Sequence, residues 1–349
     1  MKQTGIWYGV ISPFLRKEQS SMAGSFLEVK HLKKYFNTPA GMLHAVDDVS
    51  FQIPQGKTLG VVGESGCGKS TLGRTLLRLD KPTEGEILFK GTDLVTVKKK
   101  EMKQIRPKIQ MVFQDPYASL NGRMNVRQLI AEPLIVNKVC KNKAEMEERV
   151  SRMMETVGLA ERLSMAYPHE LDGGRRQRIG IARALILEPE FVICDEPVSA
   201  LDVSIQAQIL NLLMDLQEQM KLTYMFITHD LSVVRHISDE IMVMYLGKCV
   251  EKAEAEEIFQ HPMHPYTKAL LAAIPIPSIE SCHKIRKLLQ GEVVSPVNPA
   301  PGCRFAARCP YTADECRRGE IPFTEVSPGH YCACIRAEEI QKTAGGGLL

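Results

Sequence analysis

The sequence predicts an α/β fold of the layered type with a phosphate-binding loop between a strand and a helix. Three observations predict it. Residues 26 to about 255 alternate short apolar runs with longer helical patterns, the texture of strands covered by helices. An apolar strand at 58–62 runs into a glycine-rich loop that opens a helical pattern over 71–79. A second apolar run, Phe191 to Cys194, ends in Asp195 and Glu196, the pattern of a buried strand that delivers carboxylates to the C-terminal edge of a sheet.

In chain order, residues 1–25 are set apart as an N-terminal extension. Gly5 to Leu15 follow a single Lys2 and pass for a weak signal sequence, but they lack a small-residue cleavage site. Residues 1–21 are therefore expected to be disordered or a misassigned start, with a short amphipathic helix as the alternative. Residues 26–258 are read as one domain. In its loop, Gly63-Glu64-Ser65-Gly66-Cys67-Gly68-Lys69-Ser70-Thr71, the glycines let backbone N–H groups turn inward around a β-phosphate. The helix N-terminus adds partial positive charge, and Lys69 places a point charge on the β and γ oxygens. Ser70 is the expected Mg²⁺ ligand from this loop. Asp195 suits the Mg²⁺ hydration shell, and Glu196 suits polarising an attacking water. Between the two, Leu171-Asp172-Gly173-Gly174-Arg175 is a second glycine turn opening a helix, and its arginines make it another anion site. Two phosphate-binding helix ends in one chain imply a composite site.

Beyond Phe259 the texture changes. His261 to Tyr266 punctuate the chain with two prolines, Thr267 to Ile274 read as one short helix, and Pro275 and Pro277 end it. Residues 259–336 are read as a small module, rich in Pro, Cys and charge, that needs a staple, and 337–349 as a tail. Ten cysteines without an export signal suggest reduced thiols, among which a cluster points to metal rather than disulfide. Five of the ten fall within 303–334. Cys303, Cys309, Cys316 and Cys334, spaced C-x5-C-x6-C-x17-C, offer four thiolates to Zn²⁺ or to a [4Fe–4S] cluster, and ligand count does not separate these. Cys332 is the spare, and an alternative fourth ligand.

Charge and hydropathy narrow the function classes. The 44 basic and 41 acidic residues leave a formal charge of +3, too small a field to argue for nucleic acid or an anionic membrane as the main partner. No run of 18 apolar residues occurs, so no membrane-spanning helix is expected.

On these motifs the chain resembles the ATP-binding cassette (ABC) ATPases, with Gly63 to Ser70 as Walker A, Val192 to Glu196 as Walker B, and Leu171 to Arg175 in the place of the LSGGQ signature. The resemblance implies a P-loop NTPase cassette that binds ATP and Mg²⁺, built from a RecA-like core, an antiparallel β subdomain and a helical signature subdomain. It implies too that two cassettes pair head to tail, the tip Asp172-Gly173-Gly174 of one capping nucleotide on the Walker A loop of the other. The remaining family motifs follow in order. Gln114 resembles the Q-loop residue that reaches Mg²⁺ and the water and couples to the transmembrane partner. Asp202, in Ser199 to Asp202, resembles the D-loop, and His229 resembles the switch histidine on the γ-phosphate. The resemblance thus implies Glu196, His229 and Gln114 as the catalytic set, and Ser70, Gln114 and Asp195 as the Mg²⁺ set. Phe36 stands where the family stacks an aromatic on adenine, with Tyr35 as the alternative.

The signature departs from the family pattern, which usually has Ser at the place of Asp172 and Gln at that of Arg175. A serine hydroxyl can donate to a γ-phosphate oxygen, whereas an ionised Asp can only accept. A carboxylate about 4 Å from phosphate is unfavourable by on the order of 4 kcal/mol at an effective dielectric of 20. Either Asp172 caps its own helix while Arg175 or Arg176 offsets its charge, the favoured reading, or the nucleotide it faces turns over slowly.

His261 to Leu271 resemble the segment after the cassette in the oligopeptide/dipeptide and nickel uptake branch of ABC importers. Gly66-Cys67-Gly68 and Gln114 to Leu120 resemble the second of its two paired ATPases, the F-type subunit. This implies an ATPase at the cytoplasmic face of the cell membrane that powers uptake of peptides or a related solute such as nickel. A non-identical D-type cassette, two permeases and an external solute-binding protein are the implied partners, and nucleic acid is not. Iron–sulfur clusters in this branch incline the cysteine reading toward iron. An ABC ATPase acting on DNA or ribosomes is disfavoured by the single cassette and the absence of sustained heptads, and a small-molecule kinase by Glu196, which activates the water that a kinase excludes.

Overall fold

A computed structural model describes residues 25–274 and 294–344. Residues 1–24 of the N-terminal extension, the prolines at 275 and 277 and the last five residues lie outside the described residues. In chain order the elements are β1 (Leu27–Thr38), β2 (Gly41–Ile53), β3 (Thr58–Val62), α1 (Lys69–Leu76), β4 (Glu84–Phe89), β5 (Thr92–Asp93), α2 (Lys99–Ile105) and β6 (Ile109–Val112). Then come α3 (Pro116–Ser119), α4 (Val126–Asn137), α5 (Lys143–Thr156), α6 (Gly173–Leu185), β7 (Phe191–Asp195), α7 (Val203–Met220) and β8 (Thr223–Thr228). The chain closes with α8 (Leu231–Ile237), β9 (Glu240–Tyr245), β10 (Lys248–Glu254), α9 (Ala255–Gln260), α10 (Pro265–Ala272), β11 (Thr324–Ser327), β12 (His330–Cys332) and α11 (Ala337–Ala344).

Five strands pair in parallel in the order β9-β3-β8-β7-β6. Every residue of β3, β7 and β8 is buried, which is why these strands read as unbroken apolar runs rather than as alternating ones. Successive side chains still point to opposite faces. Phe191, Ile193, Met225 and Ile227 join the core shared with α1 and the four-stranded antiparallel sheet β2-β1-β4-β5. Val192, Cys194, Tyr224 and Phe226 join the core shared with α4 to α8. Helices α4, α5 and α6 pack on one another through Leu129, Ile130, Val150, Met154 and Ile179. No helix among the described residues is long and apolar enough to cross a membrane.

The segment read as a loop-rich module extends the main sheet. β10 runs antiparallel to β9, β12 pairs with β10, and β11 pairs with β12, so among the described residues the sheet reaches eight strands. Strands of four and three residues show no alternation in a sequence, which hides them. Phe305 anchors the module, fully buried edge-on to Tyr245 at 5.3 Å and beside Tyr266 at 5.4 Å. Under the β10–β12 pairing, the buried Glu251 accepts from the N–H groups of Met263 at 2.6 Å and His264 at 3.0 Å, and lies 2.8 Å from His330 Nε2. Burial opposes charge on His330, but Glu251 and Glu257 outweigh it and hold the imidazole above its usual range. α11 occupies the start of the segment read as a tail.

Candidate nucleotide site

β3 ends at Val62, and the chain turns through 63–68 into α1, whose first residue is Lys69. Gly68 caps that helix at φ 105°, and a Cβ there would meet the Ala45 carbonyl oxygen at 2.0 Å, so only glycine fits. Cys67 is buried in the loop, and burial pushes its thiol up. Lys69 Nζ donates to the carbonyls of Gly63 at 2.8 Å and Glu64 at 3.1 Å. A cavity of about 360 Å³ opens over the loop, lined by Ser65, Gly66, Ser70 and Thr71 below and by Phe36, Gln114 and Glu196 around it. Phe36 lines it with Lys34 Nζ 4.4 Å from its ring centre. Tyr35 is engaged elsewhere, its hydroxyl donating to Asp47 and its ring stacked 4.0 Å from His44.

The end of β7 meets the start of α1. Ser70 Oγ donates to Asp195 Oδ1 at 2.8 Å. Burial raises the Asp195 pKa above the usual carboxylate range, against the pull of the Ser70 hydrogen bond, and the neighbouring Glu196 charge adds to the rise. Hydroxyl, carboxylate and amide oxygens are the hard donors that Mg²⁺ takes, so Ser70, Asp195 and Gln114 fit that ion. One residue on, Glu196 turns left-handed at φ 45°, and its N–H bonds the Ile227 carbonyl at 2.9 Å. The turn carries its carboxylate to two side chains from other strand ends. Gln114 Nε2 donates to one oxygen at 3.0 Å, and His229 Nδ1 lies 3.4 Å from the other.

The second glycine turn stands apart. Asp172, Gly173, Gly174 and Asp202 do not line the cavity over the same chain's P-loop, and Asp202 is exposed at the head of α7. Asp172 caps α6: one carboxylate oxygen accepts the Arg175 N–H at 2.8 Å, and the other lies 3.3 Å from the Arg175 guanidinium. Arg176 instead stacks on Tyr117, 3.8 Å from the ring centre. A Cβ on Gly174 would come 2.7 Å from the Ile205 side chain, so a larger residue there would have to displace that side chain where α6 and α7 pack.

Sequence reasoning missed several wall residues. His44, Arg74, Gly247 and Pro296 also line the cavity. Pro296 arrives from the C-terminal module, where its carbonyl accepts the His44 N–H at 3.1 Å while the Asn298 N–H donates to the Met42 carbonyl at 2.8 Å. Residues so distant in sequence carry no local signal of that pairing.

The cysteine reading gains no support as a metal site. Cys303, Cys309, Cys316 and Cys334 line one small cavity of about 20 Å³ walled by Phe305, Ile321 and Ile340. Yet no group of three or more His, Cys, Asp or Glu among the described residues is placed to hold a metal ion. Burial pushes the Cys303 thiol up to about 11 and raises Cys309 and Cys334 too, as expected of thiols in an apolar pocket. Cys332 lies buried in β12 and does not line that cavity. The [4Fe–4S] cluster and the alternative Zn²⁺ site are therefore unsupported.

Comparison with known proteins places this geometry. Residues 46–199 match the family model for the ABC transporter, and residues 250–316 match that for the oligopeptide/dipeptide transporter C-terminal region. The oligopeptide transport ATP-binding protein AppF of Bacillus subtilis is 51% identical over 319 residues, covering 89% of this chain and 97% of AppF. OppF of Escherichia coli is 50% identical over 314 residues, covering 90% of this chain and 94% of OppF. Among solved structures, the dimeric ATP-binding cassette MJ0796 in a post-hydrolysis state with ADP and Pi superposes with a TM-score of 0.61 at 29% identity, covering 66% of this chain and 98% of that one. With cassette, C-terminal region and nearly full-length relatives all in agreement, the chain belongs to the ABC transporter ATP-binding proteins of the oligopeptide/dipeptide branch.

Proposed function

We propose that this chain is the ATP-hydrolysing subunit of an importer that takes up oligopeptides or dipeptides. The observation that carries the reading is the meeting of Gln114, Glu196 and His229 beside the P-loop, in a chain whose relatives are named for oligopeptide transport. The triphosphate rests on the amides of residues 63–71, and Lys69 neutralises its β and γ oxygens. Ser70, Asp195 and Gln114 would hold Mg²⁺, which supplies further charge neutralisation at those oxygens. Gln114 holds one oxygen of the Glu196 carboxylate, with His229 3.4 Å from the other, and so orients it to accept a proton from the attacking water. Phe36 supplies the apolar face for the base. Gly173 and Gly174 cap the nucleotide of the facing cassette, and Asp202 lies along that interface. The Asp172 carboxylate is spent on its own helix and on Arg175, which supports a working composite site rather than a slow one.

The facing cassette is a non-identical D-type subunit, and the pair works on two permeases at the cytoplasmic face of the membrane, fed by an external solute-binding protein. Exposed Phe113, Tyr117, Met165 and Tyr167 support permease contact near the Q-loop. The test is ATP-dependent uptake of a labelled oligopeptide by the assembled complex in proteoliposomes supplied with its binding protein. Uptake is expected, and Lys69→Ala should abolish it. Equal uptake with Lys69→Ala would overturn the reading.

A further inference from the structure

Glu64 brings a negative charge into the loop that cradles the phosphates, and three contacts fix that residue. Its carbonyl accepts from Lys69 at 3.1 Å, its N–H donates to the Tyr266 hydroxyl at 2.9 Å, and Arg308 Nη1 donates to both carboxylate oxygens, at 3.1 and 2.9 Å. The last two partners come from beyond residue 258. Arg308 is itself well held: its side chain is 8% exposed, against 28% for Glu64, and its guanidinium lies over Tyr245 with Nη1 3.4 Å from the hydroxyl. The rest of its loop is pinned by the buried Phe305 and by Arg304, which donates to the Leu246 carbonyl and to Asp47. With Arg308 mostly buried and Glu64 partly so, the pair is screened less than a fully exposed one, so the charge that Arg308 cancels on Glu64 is one a nucleotide would otherwise feel.

We propose that Arg308 is a positioning residue for nucleotide binding: it acts through Glu64, neutralising a carboxylate that would repel the triphosphate. The inference rests on reading residues 63–71 as the phosphate cradle. It gives the C-terminal module an electrostatic share in ATP affinity, separate from any role in docking.

Equilibrium binding of MgATP and MgADP to the full-length chain, by calorimetry at two salt concentrations, tests it. Arg308→Met keeps the apolar stem and removes the charge. MgATP affinity is expected to fall about tenfold and MgADP affinity by less, because ATP carries the larger charge, and the loss should shrink at high salt. Adding Glu64→Gln to Arg308→Met removes the repelling group and should recover most of the loss. If Arg308 only staples the module in place, the double variant binds no better than the single one and ATP and ADP weaken alike. Either result, or unchanged affinity in Arg308→Met, would overturn the proposal. Should Arg308→Met fail to fold, Glu64→Gln alone decides: it leaves Arg308 cationic beside the loop, so MgATP affinity should rise about threefold, and anything but a rise refutes the charge argument. A wild-type chain that binds neither nucleotide would overturn the cradle reading, and this inference with it.

Discussion

Glu196 is held in a left-handed turn that costs a non-glycine residue about 1 kcal/mol, one of its carboxylate oxygens accepts from Gln114, and the other lies 3.4 Å from His229. Glu196→Gln keeps the shape and removes the base. Hydrolysis by the assembled complex should fall by roughly 10² to 10⁴, while MgATP still binds, as read by single-turnover hydrolysis beside nucleotide retention. Retained hydrolysis would remove Glu196 from that role. At the signature, Asp172→Ala removes the cap of α6 and should cost about 1 kcal/mol of stability, whereas Asp172→Ser keeps a capping oxygen. ATPase activity of the assembled complex with Asp172→Ser should stay within about twofold, since the capping oxygen is kept. A several-fold rise would mean that the carboxylate opposes the γ-phosphate after all. The phosphate loop and the acid pair were legible because contiguous residues write them. Arg308, Pro296 and His44 were not, because each reaches the site only through a partner far along the chain.

At the scale of elements, the buried parallel strands and the helices after them were legible from apolar runs and glycine turns. The β11–β12 hairpin was hidden by its brevity, and the polar, cysteine-rich texture around it suggested a metal staple, which the described residues do not support, while sheet pairing and the Phe305 cluster tie the module to the cassette. The hairpin also brings His330 to Glu251. Because the fold holds His330 above its ordinary value of 6.5, the folded chain keeps a proton that the unfolded chain releases as pH rises. The stabilisation is fully present below pH 6.5 and is lost as pH climbs through the raised value. His330→Gln is therefore expected to cost about 2 kcal/mol at pH 6 and clearly less at pH 9, measured by urea unfolding at both. Equal losses would show that His330 contributes packing alone.

Across the whole molecule, one sheet runs from β6, beside the Q-loop, through the P-loop strand to the C-terminal hairpin, and Phe305 locks that far end against Tyr245 and Tyr266. Phe305→Ala should destabilise the full chain by about 3 to 5 kcal/mol in denaturant unfolding, with ATP binding weakened in step as the loop carrying Arg308 loosens. A loss confined to stability would separate the module from the nucleotide loop. The order of motifs foretold the cassette, but not this continuity, which strand pairing between residues far apart creates. The hairpin has a further consequence for the cell. β10 pairs with β12 at Glu251 and Lys252, so a stop codon shortly before residue 324 would leave that stretch of strand edge bare, an invitation for stray strands to add on. Such alleles would announce themselves on an immunoblot, as subunit lost to inclusion bodies and degradation, before any difference in turnover could be recorded.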